Sequence, residues 1–93
     1  MIVSFGNRKT EALYNIDGCA PVWRAFEAAA LRKLDMVASA VRLSDLGAPP
    51  ANRLEKLRGD RSGQWSIRIN GQWRVCFRWT DQGPADVEIV DYH

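Results

Sequence analysis

The hydrophobic period of the chain changes at two adjacent prolines, Pro49 and Pro50. Before them, apolar residues recur every three or four positions from Val22 to Val41, which predicts one long amphipathic helix beginning at Pro21. After them, apolar and polar residues alternate, which is typical of strands with one buried face. Because a residue before proline avoids the helical conformation, the chain becomes extended here. The change predicts helices in the first half of the chain and strands in the second.

A shorter helix and five strands complete the predicted fold. A short strand over 2–5 joins the sheet, and Asn7 caps a helix that runs to about Ile16. The second half carries four strands, separated by turn residues, over 53–57, 64–69, 72–79 and 85–92.

The central hairpin has a register that the apolar pattern can decide. A two-residue turn at Asn70-Gly71 would place the apolar rows of its strands on opposite faces. A three-residue loop over 70–72 pairs Ile67 with Val75 and keeps both rows on one face. We expect the three-residue loop, because a slip of one residue would expose a whole apolar row.

This register places Arg68 directly opposite Arg74 on the outer face, together with Ser66, Cys76 and Arg78. Two opposed arginines repel each other, which favours an anion lying across the face. Residues 51–80 contain seven basic side chains, six of them Arg, and only two acidic ones, whereas residues 81–93 contain four acidic side chains and no Lys or Arg. The basic face is either a site for a polyanion or a solubilising surface.

The length and the cysteines narrow the class of protein. A chain of 93 residues supports one hydrophobic core, so we expect a single domain (1–93). Residues 1–50 are expected to form a strand and a helical scaffold. Residues 51–93 are expected to form an antiparallel sheet whose outer, basic face is the candidate active face. Cys19 and Cys76 lack metal-type spacing and the chain has one His, so we expect no metal and no cofactor. Because no long apolar run is present, we expect no signal peptide, no membrane span and a cytoplasmic protein.

The C-terminal end of the sequence carries three groups that can transfer protons. Asp91 and Tyr92 are the last two residues of the last predicted strand, and His93, the only His, follows them. A carboxylate, a phenol and an imidazole beside an arginine-rich face suit metal-independent cleavage of a phosphodiester by an attacking 2′-hydroxyl, which requires RNA. A frayed terminus without function is the alternative.

Several segments of the sequence together point to a known family. They read MIVSF (1–5), PPANRLEKLRGD (49–60), GQWSIR (63–68), NGQWRVCF (70–77) and VEIVDYH (87–93). In combination these segments resemble the HigB-type toxins of the RelE/ParE toxin superfamily. The resemblance implies an α+β fold in which two N-terminal helices pack on an antiparallel β-sheet. It also implies ribosome-dependent cleavage of translated mRNA in the A site, which inhibits translation.

The resemblance further implies partners. A HigA-type helix-turn-helix antitoxin blocks the toxins of this family, and the toxin–antitoxin complex represses its own operon. We therefore expect the ribosome, mRNA and such an antitoxin as partners, with operator DNA contacted only through the antitoxin and no membrane involved.

The resemblance also assigns roles to residues. The basic residue of the L-K/R-G-D motif is Arg58 and the arginine of QWR is Arg74, and both are expected to bind the scissile phosphate. Some members have a His where this chain has Glu55, so either Glu55 or His93 is the general base. The other of these two, or Tyr92, is the acid.

The remaining polar and aromatic residues have supporting roles. Asp91 is expected to orient His93. Five further basic residues are expected to contact the RNA backbone: Arg53, Lys56, Arg61, Arg68 and Arg78. Two tryptophans fall on the apolar alternation and are expected in the core: Trp65 and Trp73. The other two are candidates for the antitoxin surface: Trp23 and Trp79.

Two other functions stay open at this point. ParE-like members of the superfamily inhibit DNA gyrase by binding it and cleave nothing, and a co-repressor would act only together with its antitoxin. A gyrase binder has no use for proton-transfer groups beside arginines, so the terminal Asp91-Tyr92-His93 favours the nuclease.

Overall fold

Two α-helices pack on a four-stranded antiparallel sheet in the computed structural model, which describes residues 1–91. Helix α1 covers Arg8–Tyr14 and helix α2 covers Glu27–Ser39. The strands lie side by side in chain order: β1 (Glu55–Lys56), β2 (Trp65–Arg68), β3 (Trp73–Thr80) and β4 (Gly83–Asp91). Short 3-10 helices lie between α1 and α2, between α2 and β1, and between β1 and β2. The predicted α+β class is confirmed. No helix within the described residues is long and apolar enough to cross a bilayer.

Helix α1 begins where the sequence predicts and ends earlier. Asn7 caps it, because the side-chain Oδ1 accepts a hydrogen bond from the backbone N–H of Thr10 at 2.9 Å. The helix ends at Tyr14, and Ile16 has a left-handed φ of 61°, which a right-handed helix cannot contain.

The segment before α1 lies along β4 without forming the predicted regular strand. Phe5 pairs with Val87 in a single isolated parallel bridge. Beside this bridge, the N–H of Asp86 donates to the Ser4 hydroxyl at 2.9 Å.

Helix α2 starts later than its apolar pattern predicts. Pro21–Phe26 form a 3-10 helix, and the α-helix begins at Glu27. A 3-10 helix has three residues per turn, so a different side chain points inward: Trp23 is 3% exposed, whereas Val22 is 58% exposed. Val41 lies beyond the end of α2 and is 84% exposed. The prediction that both valines belong to the buried stripe is therefore wrong.

The core lies between the two helices and the inner face of the sheet. Its buried members on the strands are Ile67, Val75, Phe77, Val87 and Ile89, and those on the helices are Leu13, Ala30, Leu34 and Val37. Trp65 and Trp73 are half-buried and pack against this core, as predicted. Trp23 also belongs to the core, with its ring edge-on to Trp73 at a centroid distance of 6.4 Å.

The hairpin of β2 and β3 has the predicted register. Ile67 pairs with Val75, and Arg68 pairs with Arg74. Asn70 closes the three-residue loop, because its Oδ1 accepts hydrogen bonds from the backbone N–H groups two and three residues later, both at 2.9 Å.

The outer face of the sheet is more covered than the sequence predicts. Ser66 and Cys76, expected on an exposed face with the arginines, are fully buried. Arg61, from the loop between β1 and β2, reaches over this face to Glu88 on β4, which is the strand neighbour of Cys76. The loop therefore covers side chains that the alternation alone leaves in solvent.

Strand β4 contains a bulge opposite β3. Its register shifts from Cys76 opposite Glu88 to Arg78 opposite Ala85, which gives β4 one more residue than β3 in this stretch. Asp86 occupies the bulge with a left-handed φ of 52°. The bulge brings the Asp86 carboxylate to Arg78, with Oδ2 2.7 Å from Nε.

Candidate functional site

Three arginines converge on an open pocket beside the β2–β3 hairpin loop. This arginine pocket has a volume of about 290 Å³ and is lined by Arg53, Arg68, Asn70, Gly71 and Arg74. Within the described part of the chain its lining contains three guanidinium groups and no carboxylate. Because guanidinium groups stay protonated in proteins, the pocket is a fixed positive site that suits an anion.

The hairpin directs Arg68 into the pocket. Arg68 ends β2 directly opposite Arg74, and its Nε donates to the backbone carbonyl of Asn70 at 3.1 Å. This hydrogen bond holds the guanidinium over the loop. Two arginines opposite each other destabilise a sheet, whereas an anion bound between them would remove the repulsion.

Arg53 and Glu55 both contact the Arg74 side chain. Its side chain is 10% exposed, Nη2 donates to the backbone carbonyl of Arg53 at 2.6 Å, and Nη1 lies 3.1 Å from Glu55 Oε2. Arg53 has a left-handed backbone, with φ 46° and ψ 55°, and in this conformation its carbonyl points to Arg74. Two residues predicted to belong to the site, Glu55 and Arg74, are therefore in direct contact.

The other charged residues in and just after β1 lie outside the pocket lining. Glu55 has a half-exposed side chain and is accessible to solvent. Lys56, the next residue in β1, points to the opposite face of the sheet because side chains alternate along a strand. Arg58 is exposed at the start of the following 3-10 turn. Neither Lys56 nor Arg58 lines the arginine pocket.

Two predicted RNA-contacting arginines form ion pairs with β4. Arg61 Nη1 lies 2.8 Å from Glu88 Oε1, and Arg78 Nε lies 2.7 Å from Asp86 Oδ2. The basic middle and the acidic end of the sequence thus meet on the outer face. RNA contacts by Arg61 and Arg78 stay a prediction, and such contacts would compete with these two carboxylates.

Asp91 is the described member of the predicted terminal trio. It ends β4, and its Oδ2 accepts a hydrogen bond from Gln72 Nε2 at 3.0 Å, which places it beside the hairpin loop. Tyr92 and His93 lie outside the described residues, so their catalytic roles stay predictions.

The cysteines are poor nucleophiles. Burial raises the pKa of the Cys76 thiol from 9.0 to about 11. The pKa of Cys19 is also raised, first by burial and then by Glu27. Both thiols are therefore protonated at neutral pH. Among residues 1–91, no three His, Cys, Asp or Glu side chains lie close enough together to hold a metal ion.

Two residues of the pocket are not identified by the sequence pattern as part of a site. Asn70 and Gly71 line the pocket, although the sequence predicts them only as turn residues. Their position in a three-residue loop between two facing arginines is the signal that points to them.

Comparisons with known proteins find relatives across the chain. A family model described as a RelE-like toxin of the type II toxin–antitoxin system HigB matches residues 3–93. The toxin HigB-1 of Vibrio cholerae is 46% identical over 69 residues, which are 74% of this chain and 72% of that protein. An endoribonuclease HigB of Proteus vulgaris is 37% identical over 41 residues, which are 44% of this chain and 45% of that one.

A solved structure shares the fold at low sequence identity. The YoeB–YefM complex from Staphylococcus aureus contains a chain that superposes with a TM-score of 0.62 and 15% identity, covering 100% of this chain and 98% of that one. At this identity the likeness shows the fold alone, and it agrees with two helices packed on an antiparallel sheet.

Proposed function

Because the chain belongs to the family of RelE-like HigB toxins of type II toxin–antitoxin systems, we propose that it is an endoribonuclease that cleaves translated mRNA in the ribosomal A site and so inhibits translation. The arginine pocket carries the proposal, since guanidinium groups beside a carboxylate suit the binding and cleavage of a phosphodiester. The Proteus vulgaris relative is named an endoribonuclease, which supports the same activity here.

Binding begins with a phosphate in the arginine pocket. Arg74 takes the scissile phosphate, and Arg53 and Arg68 contact the same group or its neighbour along the RNA backbone. A phosphate oxygen replaces Glu55 on the guanidinium, because both are anions that compete for one donor edge. Arg58, carried over from the family motif, would reach the phosphate from outside the pocket lining.

Cleavage follows from the release of Glu55. The freed carboxylate takes the proton of the 2′-hydroxyl, whose oxygen attacks phosphorus. The bond to the 5′-oxygen breaks, and this oxygen takes a proton from His93, oriented by Asp91, or from Tyr92. The products are a 2′,3′-cyclic phosphate and a 5′-hydroxyl. In the alternative assignment, His93 is the base and Glu55 or Tyr92 is the acid.

The openness of the pocket supports the proposed dependence on the ribosome. The pocket has few groups that would hold the 2′-hydroxyl in line with phosphorus, and correct placement of reacting groups contributes much of the rate of such reactions. The ribosome would supply this placement in the A site. Free RNA is therefore expected to be cleaved poorly.

The proposed function includes partners. A HigA-type helix-turn-helix antitoxin would block the toxin, and operator DNA would be contacted only through that antitoxin. Ribosomes and mRNA are the targets, so the protein would act in the cytoplasm.

The test compares variants by growth and by mapping mRNA cleavage on translating ribosomes. Arg74→Ala and a chain that lacks His93 should each slow cleavage by about a hundredfold or more, because phosphate stabilisation or proton transfer is lost. Arg24→Ala is the matched control, since Arg24 is an exposed arginine in the 3-10 helix before α2. It should cleave as the wild type does.

The alternatives have distinct outcomes. Wild-type cleavage by both the Arg74→Ala variant and the truncated chain would contradict the nuclease assignment. Growth arrest with intact mRNA and relaxed plasmid DNA would assign the ParE-like inhibition of gyrase. No growth arrest, with operator binding only in the presence of the antitoxin, would assign a co-repressor. Efficient cleavage of free RNA would contradict the dependence on the ribosome.

A further inference from the structure

Lys33 and Asn52 form a buried hydrogen bond at the turn Pro50–Asn52, which directly precedes Arg53. Lys33 of α2 is 8% exposed and Asn52 is 0% exposed, and Lys33 Nζ donates to Asn52 Oδ1 at 2.6 Å. Asn52 Nδ2 donates to the backbone carbonyl of Leu46 at 3.0 Å and lies 3.6 Å from Met36 Sδ. The Asn52 side chain thus joins α2 to the turns that follow it.

The stability of the core alone does not explain this pair. A buried ammonium loses its hydration, and within residues 1–91 no carboxylate lies within 4.0 Å of Lys33 Nζ to offset the loss. Burial, followed by the charge of Arg32, lowers the pKa of Lys33. Since an apolar side chain fills such a position without this penalty, the pair is better explained by what it holds in place.

The residue that follows Asn52 connects the pair to the arginine pocket. Arg53 has a left-handed backbone, which is unfavourable for a residue other than glycine. In this conformation its carbonyl accepts the hydrogen bond from Arg74 Nη2, and its side chain lines the pocket. If the turn were free to relax, Arg53 would leave this conformation and Arg74 would lose a partner.

We propose that Lys33 and Asn52 are positioning residues of the arginine pocket, an inference that rests on the proposed binding of an RNA phosphate there. Lys33 anchors the amide of Asn52, and the anchored Asn52 holds the turn Pro50–Asn52 against α2. This turn then keeps the Arg53 carbonyl hydrogen-bonded to Arg74 Nη2. Neither Lys33 nor Asn52 touches the substrate, because both are buried away from solvent.

The first measurement needs no RNA. The Nε–Hε resonance of Arg74 in a nitrogen–proton NMR spectrum is assigned by its loss in Arg74→Lys. Lys33→Met and Asn52→Ala should both shift this resonance. Val37→Ala is the control, because it truncates a buried residue of the same helix that makes no hydrogen bond to the turn, and it should leave the resonance in place.

Either of two results in these spectra overturns the proposal. One is an Arg74 resonance that stays at its wild-type position in both variants. The other is loss of folding in both variants by circular dichroism, which would assign the pair to the stability of the fold. Where only Asn52→Ala unfolds, Lys33→Met decides, because methionine keeps much of the length and packing of the lysine stem.

The second measurement is the affinity for a short 2′-O-methyl oligoribonucleotide, which lacks the attacking hydroxyl. Lys33→Met and Asn52→Ala should lose about ten- to a hundredfold in affinity, and Val37→Ala less than about twofold. Shifted resonances without RNA binding by the wild type would contradict the binding of an RNA phosphate in the arginine pocket and leave the positioning role standing. Equal, tight binding by the wild type and both variants would overturn the positioning role and leave the proposed function standing.

Discussion

Replacing Glu55 by Gln removes the negative charge that lies 3.1 Å from Arg74 Nη1 and keeps the size of the side chain. Two unit charges at this separation attract each other by about 1 kcal/mol in water. The solvent-screened value applies here, because the Glu55 side chain is 51% exposed. A phosphate that enters the arginine pocket has to displace Glu55. The variant should therefore bind a 2′-O-methyl oligoribonucleotide about fivefold more tightly, which corresponds to about 1 kcal/mol.

Cleavage by the Glu55→Gln variant is expected to be slower, although its binding is tighter. A glutamine amide cannot take the proton of the 2′-hydroxyl, and loss of a general base slows a reaction by about 10²- to 10⁴-fold. Fluorescence anisotropy gives the affinity, and cleavage of mRNA on programmed ribosomes gives the rate. Glu11→Gln, which makes the same charge change at an exposed position of α1, is the control and should alter neither quantity.

Two results would refute parts of this reasoning. Weaker oligonucleotide binding by Glu55→Gln than by the wild type would contradict the exchange of Glu55 for phosphate on Arg74. Tighter binding with an unchanged cleavage rate would keep the exchange and assign the base to His93.

Two further predictions concern stability. Asn7→Ala removes the cap of α1 and should lower the free energy of unfolding by about 1 kcal/mol in a urea titration, whereas Asn15→Ala at the other end should change it little; equal effects would contradict the capping role. The pKa of Cys76 is raised by burial from 9.0 to about 11, so the native state disfavours the thiolate. The stability from this thiol is complete below about pH 9 and is lost as the pH rises to about 11. Over this range the free energy of unfolding of the wild type should therefore fall by roughly 2 kcal/mol more than that of Cys76→Ala. Parallel pH profiles in urea titrations would contradict this prediction.

The hairpin is the part of the fold that the sequence predicts in most detail. The apolar rows around Ile67 and Val75 permit one register, because a slip by one residue would expose a row. The opposition of Arg68 and Arg74 follows directly from that register. A local pattern therefore led to two of the three arginines of the pocket and to their relative position.

The ends of elements and the cover of the sheet are less accessible to sequence reasoning. The apolar spacing around Val22 suits an α-helix, yet the chain forms a 3-10 helix there, because this buries the larger Trp23 against Trp73. Strand alternation places Cys76 on an open face of the sheet, yet the loop between β1 and β2 covers it. In both cases a contact between distant segments overrides the local pattern.

The order of helices and strands, the hairpin register and the facing pair of arginines follow from the amino-acid sequence, because each depends on which short pattern buries one face. Which other arginines join this pair depends on contacts between distant parts of the fold. Arg53 meets Arg74 from 21 residues away through a left-handed turn anchored on α2. Arg61 and Arg78 are instead paired with acids of β4 by a crossing loop and a bulge. These contacts join segments far apart in the chain, and no local pattern encodes such geometry.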